Sequence, residues 1–487
     1  MNTLTELDKK FLSICQKERF KEEFALYKAT KTDTLKEEPL INIQMGADGI
    51  THKIFEKQID HNIDSIFNRL HRGNYYFYPF RELVKSKDPS IKSPYKALKL
   101  NKERILSIAS IRDVIVQKVL YDFLYPKAEE KFKTLPLVSF GYRKNLNAPK
   151  AAKMVHSHLK DGFCYAIDGD IKKFFDQIPH NLLAKALKEF IGDSPLVYQL
   201  LYRFIHVDRI EWISYKDKIY KFKKERPTRT KRRAGIPQGG ILSGLVANLY
   251  LHQFDQWVVN ELGKSLPIRY VRYADDFVIL IKEKEKLEQI KLECSQFLQS
   301  IGLELHSDEK KTKLIDLTQK GSFVNFVGFS ISTTGIRIKK QNVQRFKERI
   351  NTILGSTKLG TPKSMKVLKL RLDYKFFGNE MKRRVCNTCG KKEIRRNWLS
   401  FFLTITDVQQ LKSLDKWVSQ QIHNKHFLDT GTRLPRSAFK QGNFPCLEKI
   451  YYSYRKQKIK ADSVCSCSPL EAEFENTRNP FVELFKY

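Results

Sequence analysis

Hydrophobic spacing divides this chain into three stretches. The opening MNTLTELDKKFLSICQ places apolar residues three and four apart, which predicts an amphipathic helix. Helical spacing continues to about residue 75, interrupted by the polar KTDTLKEEPL. Between 80 and 335, strand-like runs such as FCYAIDGDI and FVILIKE alternate with helix-period runs such as HNLLAKALKEFI and KLEQIKLECSQFLQSIGLEL, which predicts an α/β or α+β domain. From about 340 the pattern turns mainly helical and more basic, as in VQRFKERINTIL and LKSLDKWVSQQIHNKHF, and no internal repeat is evident.

Two acidic insertions interrupt the strand-like runs. In YAIDGDIKKFFDQIPH, Asp168 and Asp170 alternate with apolar residues, so both carboxylates project from one strand face before a turn or helix at KKFFD. In RYVRYADDFVIL (269–280), Asp275 and Asp276 lie where two strands of a hairpin would meet, which predicts that the turn presents both at its tip. A solvated Asp-Asp turn would read the same way. Two hairpin carboxylates plus Asp170 from another strand could instead hold two Mg²⁺ ions about 4 Å apart, the spacing that activates an attacking hydroxyl and stabilises a leaving pyrophosphate. Between the two insertions, AGIPQGGILSGLVANLYLHQFD (234–255) is a Gly-Pro loop opening a helix. It serves either as a nucleotide platform or as a turn before a core helix.

Charge favours the functional alternative. The 487 residues carry 89 Lys and Arg against 54 Asp and Glu, a net +35, and such a field attracts a polyanion, most commonly nucleic acid. The hydrophobic content of 41% is ample for real cores, which excludes a disordered tail. Nothing approaches the ~18 consecutive apolar residues of a membrane span, so the expectation is a cytoplasmic protein with no membrane partner. Eight sparse cysteines argue against a secreted disulfide framework. The basic run KFKKERPTRTKRRAG (221–235) predicts a mobile loop or hairpin leading into the Gly-Pro motif.

Asp170 in DIKKFFD, GIPQGGILSG, YADD, GLELHSDEKKTKLI and FVNFVGF, with ERILSIASIRDVIVQKVLYDFL and SFGYR upstream, stand in the order and spacing of a reverse-transcriptase palm and fingers. Over roughly residues 80–335 the chain resembles group II intron-type and related bacterial reverse transcriptases. The resemblance implies an α+β right-hand polymerase: fingers and a palm with an antiparallel sheet at 79–335, a helical thumb at 336–425, a helical extension at 1–78 and a basic one at 426–487. It implies dNTP substrates, an RNA template and a DNA product. It also implies that Asp170 and Asp275 ligate both Mg²⁺ ions, that Asp276 assists, and that the Ile171 carbonyl completes the site. Phe175 corresponds to the aromatic gate that excludes a ribose 2′-hydroxyl. Gln238 and Gly239 correspond to the nucleotide and template loop, Arg104 with Lys99 or Lys102 to the triphosphate grip, and Lys311, with Lys310 as rival, to the lysine near the nucleotide. Arg143 would support the fingers or the template path. Asp168 lies outside the triad as a structural or neighbouring carboxylate. One departure is Ser243-Gly244 where the family has Ser-Pro, which should loosen the helix start.

The last third is less specific. Cys386 and Cys389 in CNTCGKK with Cys465 and Cys467 in CSC could form a structural Zn²⁺ site, or remain free thiols, with Cys446, His423 and His426 between them. The tract KIYYSYRKQKIK (449–460) would pack on the surface, stack on nucleic acid or offer a tyrosine as primer. No HNH-type histidine array is present, and the expected role is in antiphage defence beside a specific non-coding RNA. The alternatives are intron-encoded splicing or an RNA-binding, maturase-like cofactor.

Overall fold

The computed structural model describes residues 4–31, 45–88, 91, 93–211, 229–308, 311–377, 398–435 and 444–460. The strands, numbered in chain order, are β1 (Phe80–Ser86), β2 (Glu103–Ile108), β3 (Tyr165–Asp170), β4 (Arg209–Ile210), β5 (Ile268–Tyr273), β6 (Asp276–Ile281), β7 (Lys313–Asp316), β8 (Val324–Phe326), β9 (Phe329–Ser332) and β10 (Gly335–Ile338). They form three sheets, ordered β2-β1-β4, β5-β6-β3-β7 and β10-β9-β8. The central four-stranded sheet is antiparallel throughout. This α+β arrangement is the polymerase palm and fingers that the motif order implied.

Strand alternation sends the central sheet's side chains into two different cores. Ile167, Tyr270, Phe277, Ile279 and Ile281 enter one, together with the helices His180–Ile191 and Ser243–Trp257. Ala166, Val271, Tyr273, Val278 and Leu280 enter the other, with the β8–β10 sheet and the C-terminal helices. Period-two side-chain direction therefore assigns Asp168 and Asp170 of β3, and Asp276 of β6, to the face of Ala166 and Val278.

Helix ends are fixed by local chemistry. The Oγ of Ser110 accepts from the Asp113 amide ahead of the helix Ile111–Phe132, and Oδ1 of Asn147 accepts from the Lys150 amide ahead of Ala148–Lys160. One cap is long-range: Oδ1 of Asp8, in the helix Glu6–Ile14, accepts from the Ser194 hydroxyl and from the Val197 amide in the first turn of Pro195–Ile205. Phe11, Phe20, Phe55, Ile63 and Leu70 join the same core as the palm helices, so the segment before residue 78 is packed into the fingers and palm. At the other end, residue 425 falls inside the helix Gln409–Thr430, and Leu434, Leu447 and Tyr451 continue the thumb-side core beyond it.

Phe277 lies under β3 with no exposed surface, edge-on to Phe254 at 5.2 Å and near Tyr270 at 6.2 Å. Phe277→Ala should lower unfolding stability by about 3–5 kcal/mol, read from urea denaturation, because a rigid aromatic core refills such a cavity poorly.

Candidate active site

The β5–β6 hairpin has a two-residue loop. Tyr273 pairs with Asp276, leaving Ala274 and Asp275 to make the reversal, so Asp275 sits in the loop and Asp276 is the first residue of β6 rather than part of a shared tip. Ala274 takes φ 58, a left-handed backbone that costs a non-glycine residue about 1 kcal/mol. The cost is met by the surroundings. Arg272, with no exposed surface, donates from every guanidinium N–H: Nε to Asp255 Oδ1 at 2.6 Å, Nη1 to Asn248 Oδ1 at 2.9 Å and to the Ala274 carbonyl at 3.0 Å, and Nη2 to Asp255 Oδ2 and to Ser139 Oγ at 3.1 Å. The Tyr270 hydroxyl donates to the same Asp255 carboxylate at 2.9 Å, and Asn248 Nδ2 donates to the Gly141 carbonyl at 2.6 Å. The backbone completes the clamp, with the Phe140 amide donating to the Arg272 carbonyl and the Arg272 amide to the Val138 carbonyl.

Asp170 ends β3 directly opposite Asp276 in the antiparallel register, and Asp275 is adjacent in the loop. The four carboxylates feel one another. Burial, with Asp170 next, pushes the Asp275 carboxyl up to about 6. Burial and then Asp275, Asp170 and Asp168 push Asp276 upward. Burial raises Asp168 to about 6 against the pull of Lys313 and Lys339. Lys311 Nζ lies 3.2 Å from Asp170 Oδ2; burial acts to lower its ammonium pKa, but Asp170 and the other acids outweigh it and the net shift is upward. Among the described residues no three His, Cys, Asp or Glu side chains close around an ion by themselves. The donor chemistry nevertheless suits Mg²⁺: hard carboxylate oxygens from two strands and a loop, whose mutual repulsion a divalent cation would relieve. Ile171 forms an isolated bridge with Leu305, and its two hydrogen bonds use the Asp170 carbonyl and the Lys172 amide, not the Ile171 carbonyl.

Of the other expected residues, Arg104 and Lys311 lie within electrostatic reach of these acids. Arg104 on β2 pairs with Lys85 and lies within electrostatic reach of Asp275. Phe175 meets Phe174 edge-on at 5.3 Å, and its carbonyl accepts from the Ile236 amide at 2.8 Å. Gln238 Nε2 approaches the Asp176 carboxylate at 3.3 Å, while its carbonyl accepts from the Ser107 amide at 2.6 Å. Gly239, at φ 113, brings the loop so close to β2 that a Cβ there would lie 2.9 Å from the Ser107 carbonyl oxygen.

Other expectations are placed differently. Lys99 is exposed at the end of the helix Pro94–Lys99, and Lys102 pairs with Asp88 at 3.0 Å. Arg143 is only 6% exposed and gives Nη2 to Glu129 Oε1 at 2.6 Å, Nε to Oε2 and Nη1 to the Ser139 carbonyl. These bonds tie it to the helix Ile111–Phe132. The helix start at Ser243 is not loose: its hydroxyl donates to the Pro237 carbonyl, and the Ile241 amide donates to Gln117 Oε1 at 3.0 Å. Lys310, Cys386, Cys389, Cys465 and Cys467 lie outside the described residues, as does most of the basic run. Cys446 Sγ contacts Asp415 Oδ2, and His426 Nδ1 contacts the Thr432 carbonyl. Tyr451 is buried, its hydroxyl donating to the Ile405 carbonyl, while Tyr452 is exposed.

Sequence reasoning missed Arg272, Asp255, Asn248 and Tyr142. The available signal was a charged residue at a core-facing position of a period-two strand, which demands a buried partner.

The family described as reverse transcriptase (RNA-dependent DNA polymerase) matches residues 86–338, just over half of the sequence. The chain belongs to the reverse transcriptase family. This reverse transcriptase is 28% identical over 302 residues to Protein YkfC of Escherichia coli, a match covering 55% of this chain and 71% of that protein. It is 25% identical over 377 residues to the group II intron-encoded protein LtrA of Lactococcus lactis, covering 65% and 57%. With the putative COX1/OXI3 intron 1 protein of Saccharomyces cerevisiae the identity is 26% over 324 residues, covering 56% and 35%. The matches thus span from about a third to just over two thirds of the length of these relatives. Among solved structures, apo telomerase from Candida tropicalis is similar at 16% identity and TM-score 0.39, covering 84% of this chain and 67% of that one.

Two outcomes follow from the site. Arg272→Ala should cost on the order of 3–5 kcal/mol in denaturant unfolding, because it leaves the Asp255 carboxylate buried without its cation. Asp275→Asn should raise the melting temperature of metal-free protein. Since folded Asp275 titrates at about 6, above an unfolded carboxyl, that gain is full above pH 6 and shrinks as the pH falls from 6 toward 4. Added Mg²⁺ should raise the melting temperature of wild type more than that of the variant.

Proposed function

We propose that this chain is an RNA-templated DNA polymerase whose reaction centre is Asp170, Asp275 and Asp276. The carrying observation is the Asp170–Asp276 register pair with Asp275 beside it, on a hairpin clamped by Arg272. The reaction joins a primer 3′-oxygen to the α-phosphorus of a dNTP and releases pyrophosphate, leaving the chain one nucleotide longer. Two Mg²⁺ ions, when held by these carboxylates, supply charge for the attacking and leaving oxygens. Arg104 and Lys311 lend positive charge to a bound triphosphate, Phe175 forms the wall beside the sugar, and Gln238 with Gly239 lines the nucleotide and template side. Fingers and palm are assigned to 79–335, and the thumb to the helices from 336 onward.

For the biological setting we propose a specific RNA partner, which the net charge of +35 supports. One reading is a non-coding RNA in bacterial antiphage defence. The second is an intron RNA, favoured by the likeness to a group II intron-encoded protein. Sequencing RNA and DNA copurified with the protein separates them: a defined small RNA with its cDNA supports defence, and a self-splicing intron RNA supports the other. Asp275→Asn protein, folded by circular dichroism, should lose dNTP incorporation on a primed RNA template by about a thousandfold or more. Wild-type rates from that variant would overturn the assignment.

A further inference from the structure

Tyr142 occupies the junction of the palm hairpin, the fingers and the helix that begins at Ser243. Its backbone is held at φ 57, left-handed although it is not glycine. Such a conformation survives only where the surroundings dictate it. Here they do. Arg143 is locked to Glu129 on the following side. On the preceding side Gly141 packs so tightly against the hairpin that a Cβ there would lie 2.6 Å from the Ala274 nitrogen. The phenol ring is thereby turned onto the backbone of Gly244, where a Cβ would stand 2.5 Å from ring atoms Cδ1 and Cγ. No side chain, and no proline, fits at 244 with the ring in that place.

The far side of the ring meets Phe175 in an edge-to-face contact, centroids 6.2 Å apart and planes at 80°. Phe175 is braced from the other side by Phe174, and its backbone is tied to Ile236. Asp275, Asp276 and Arg104 all lie within electrostatic reach of the Tyr142 hydroxyl. The contact therefore runs from the strained turn beside the carboxylates to the Phe175 ring.

We propose that Tyr142 is a positioning residue for sugar selection: seated on Gly244, its ring fixes Phe175, and this contact sets discrimination between deoxyribonucleotides and ribonucleotides. The inference rests on Phe175 being the wall against a 2′-hydroxyl. It accounts for glycine at 244, where a proline would push the ring aside, and for a strained tyrosine at 142.

The test is single-nucleotide incorporation on a primed RNA template, measuring kcat/KM for a dNTP and for the matching ribonucleotide with Mg²⁺ present. Tyr142→Ala should lower the preference for the dNTP by roughly tenfold or more, the scale of a reshaped steric pocket. Gly244→Ala should act in the same direction, and Tyr142→Phe, which keeps the ring, should retain wild-type preference. Phe175→Val should lower the preference too, and adding Tyr142→Ala to it should bring little further loss, since Tyr142 acts through Phe175. Melting curves confirm that each variant is folded; Gly244→Ala, which deletes no side chain, decides the matter if Tyr142→Ala is not. Unchanged preference in both Tyr142→Ala and Gly244→Ala overturns the inference, as does equal loss in Tyr142→Phe or a fully additive double variant. A change in Tyr142→Ala with none in Phe175→Val removes the sugar-wall reading of Phe175 and this inference with it. Wild-type protein that incorporates neither nucleotide removes the polymerase reading itself.

Discussion

A buried guanidinium holds the proposed reaction centre in place. Arg272 and Asp255 form an ion pair with almost no exposed surface, and such a pair is sustained only when the remaining donors are also met. They are met by Asn248 on a helix, by Ser139 on a neighbouring segment and by the carbonyl of Ala274 in the turn itself. One planar group thus fixes a helix, a strand, an edge segment and a left-handed turn in register. Lysine could supply the charge but not the fork of five donors.

The acids depend on that anchorage because their own interactions oppose it. Burial raises the proton affinity of Asp168, Asp275 and Asp276, and the neighbouring carboxylates add to it. Left to local forces, the hairpin would turn these charges toward water. Instead, strand alternation binds the apolar neighbours into two cores, and the acids stay at the sheet's end where Lys311 and Arg104 face them. The Gly-Pro loop closes the arrangement from the fingers side, through the amides of Ser107 and Ile241.

Much of this was legible in the chain. The switch from helical to period-two spacing located the sheet, and the spacing of Asp168 and Asp170 gave their shared face, because strand geometry leaves little freedom. The fine division at the hairpin was not legible: whether Asp276 belongs to the loop or to the strand depends on loop length, which the register decides. The partner of Arg143 was not legible, because Glu129 is fourteen residues away and only the fold brings them together. Gly244 looked like a weakened helix start because its reason lies in the ring of Tyr142, a hundred residues earlier.

The geometry of the Arg272 fork, beyond its charge, fixes the turn that carries Asp275 and leads into Asp276. Single-turnover dNTP incorporation by Arg272→Lys protein, measured on a primed RNA template at saturating dNTP and Mg²⁺, addresses it directly. The expected result is a folded protein that binds primer-template normally and whose rate falls by about a hundredfold, as a misplacement on the order of 1 Å at the reacting groups would produce. A wild-type rate in a folded Arg272→Lys protein would contradict it.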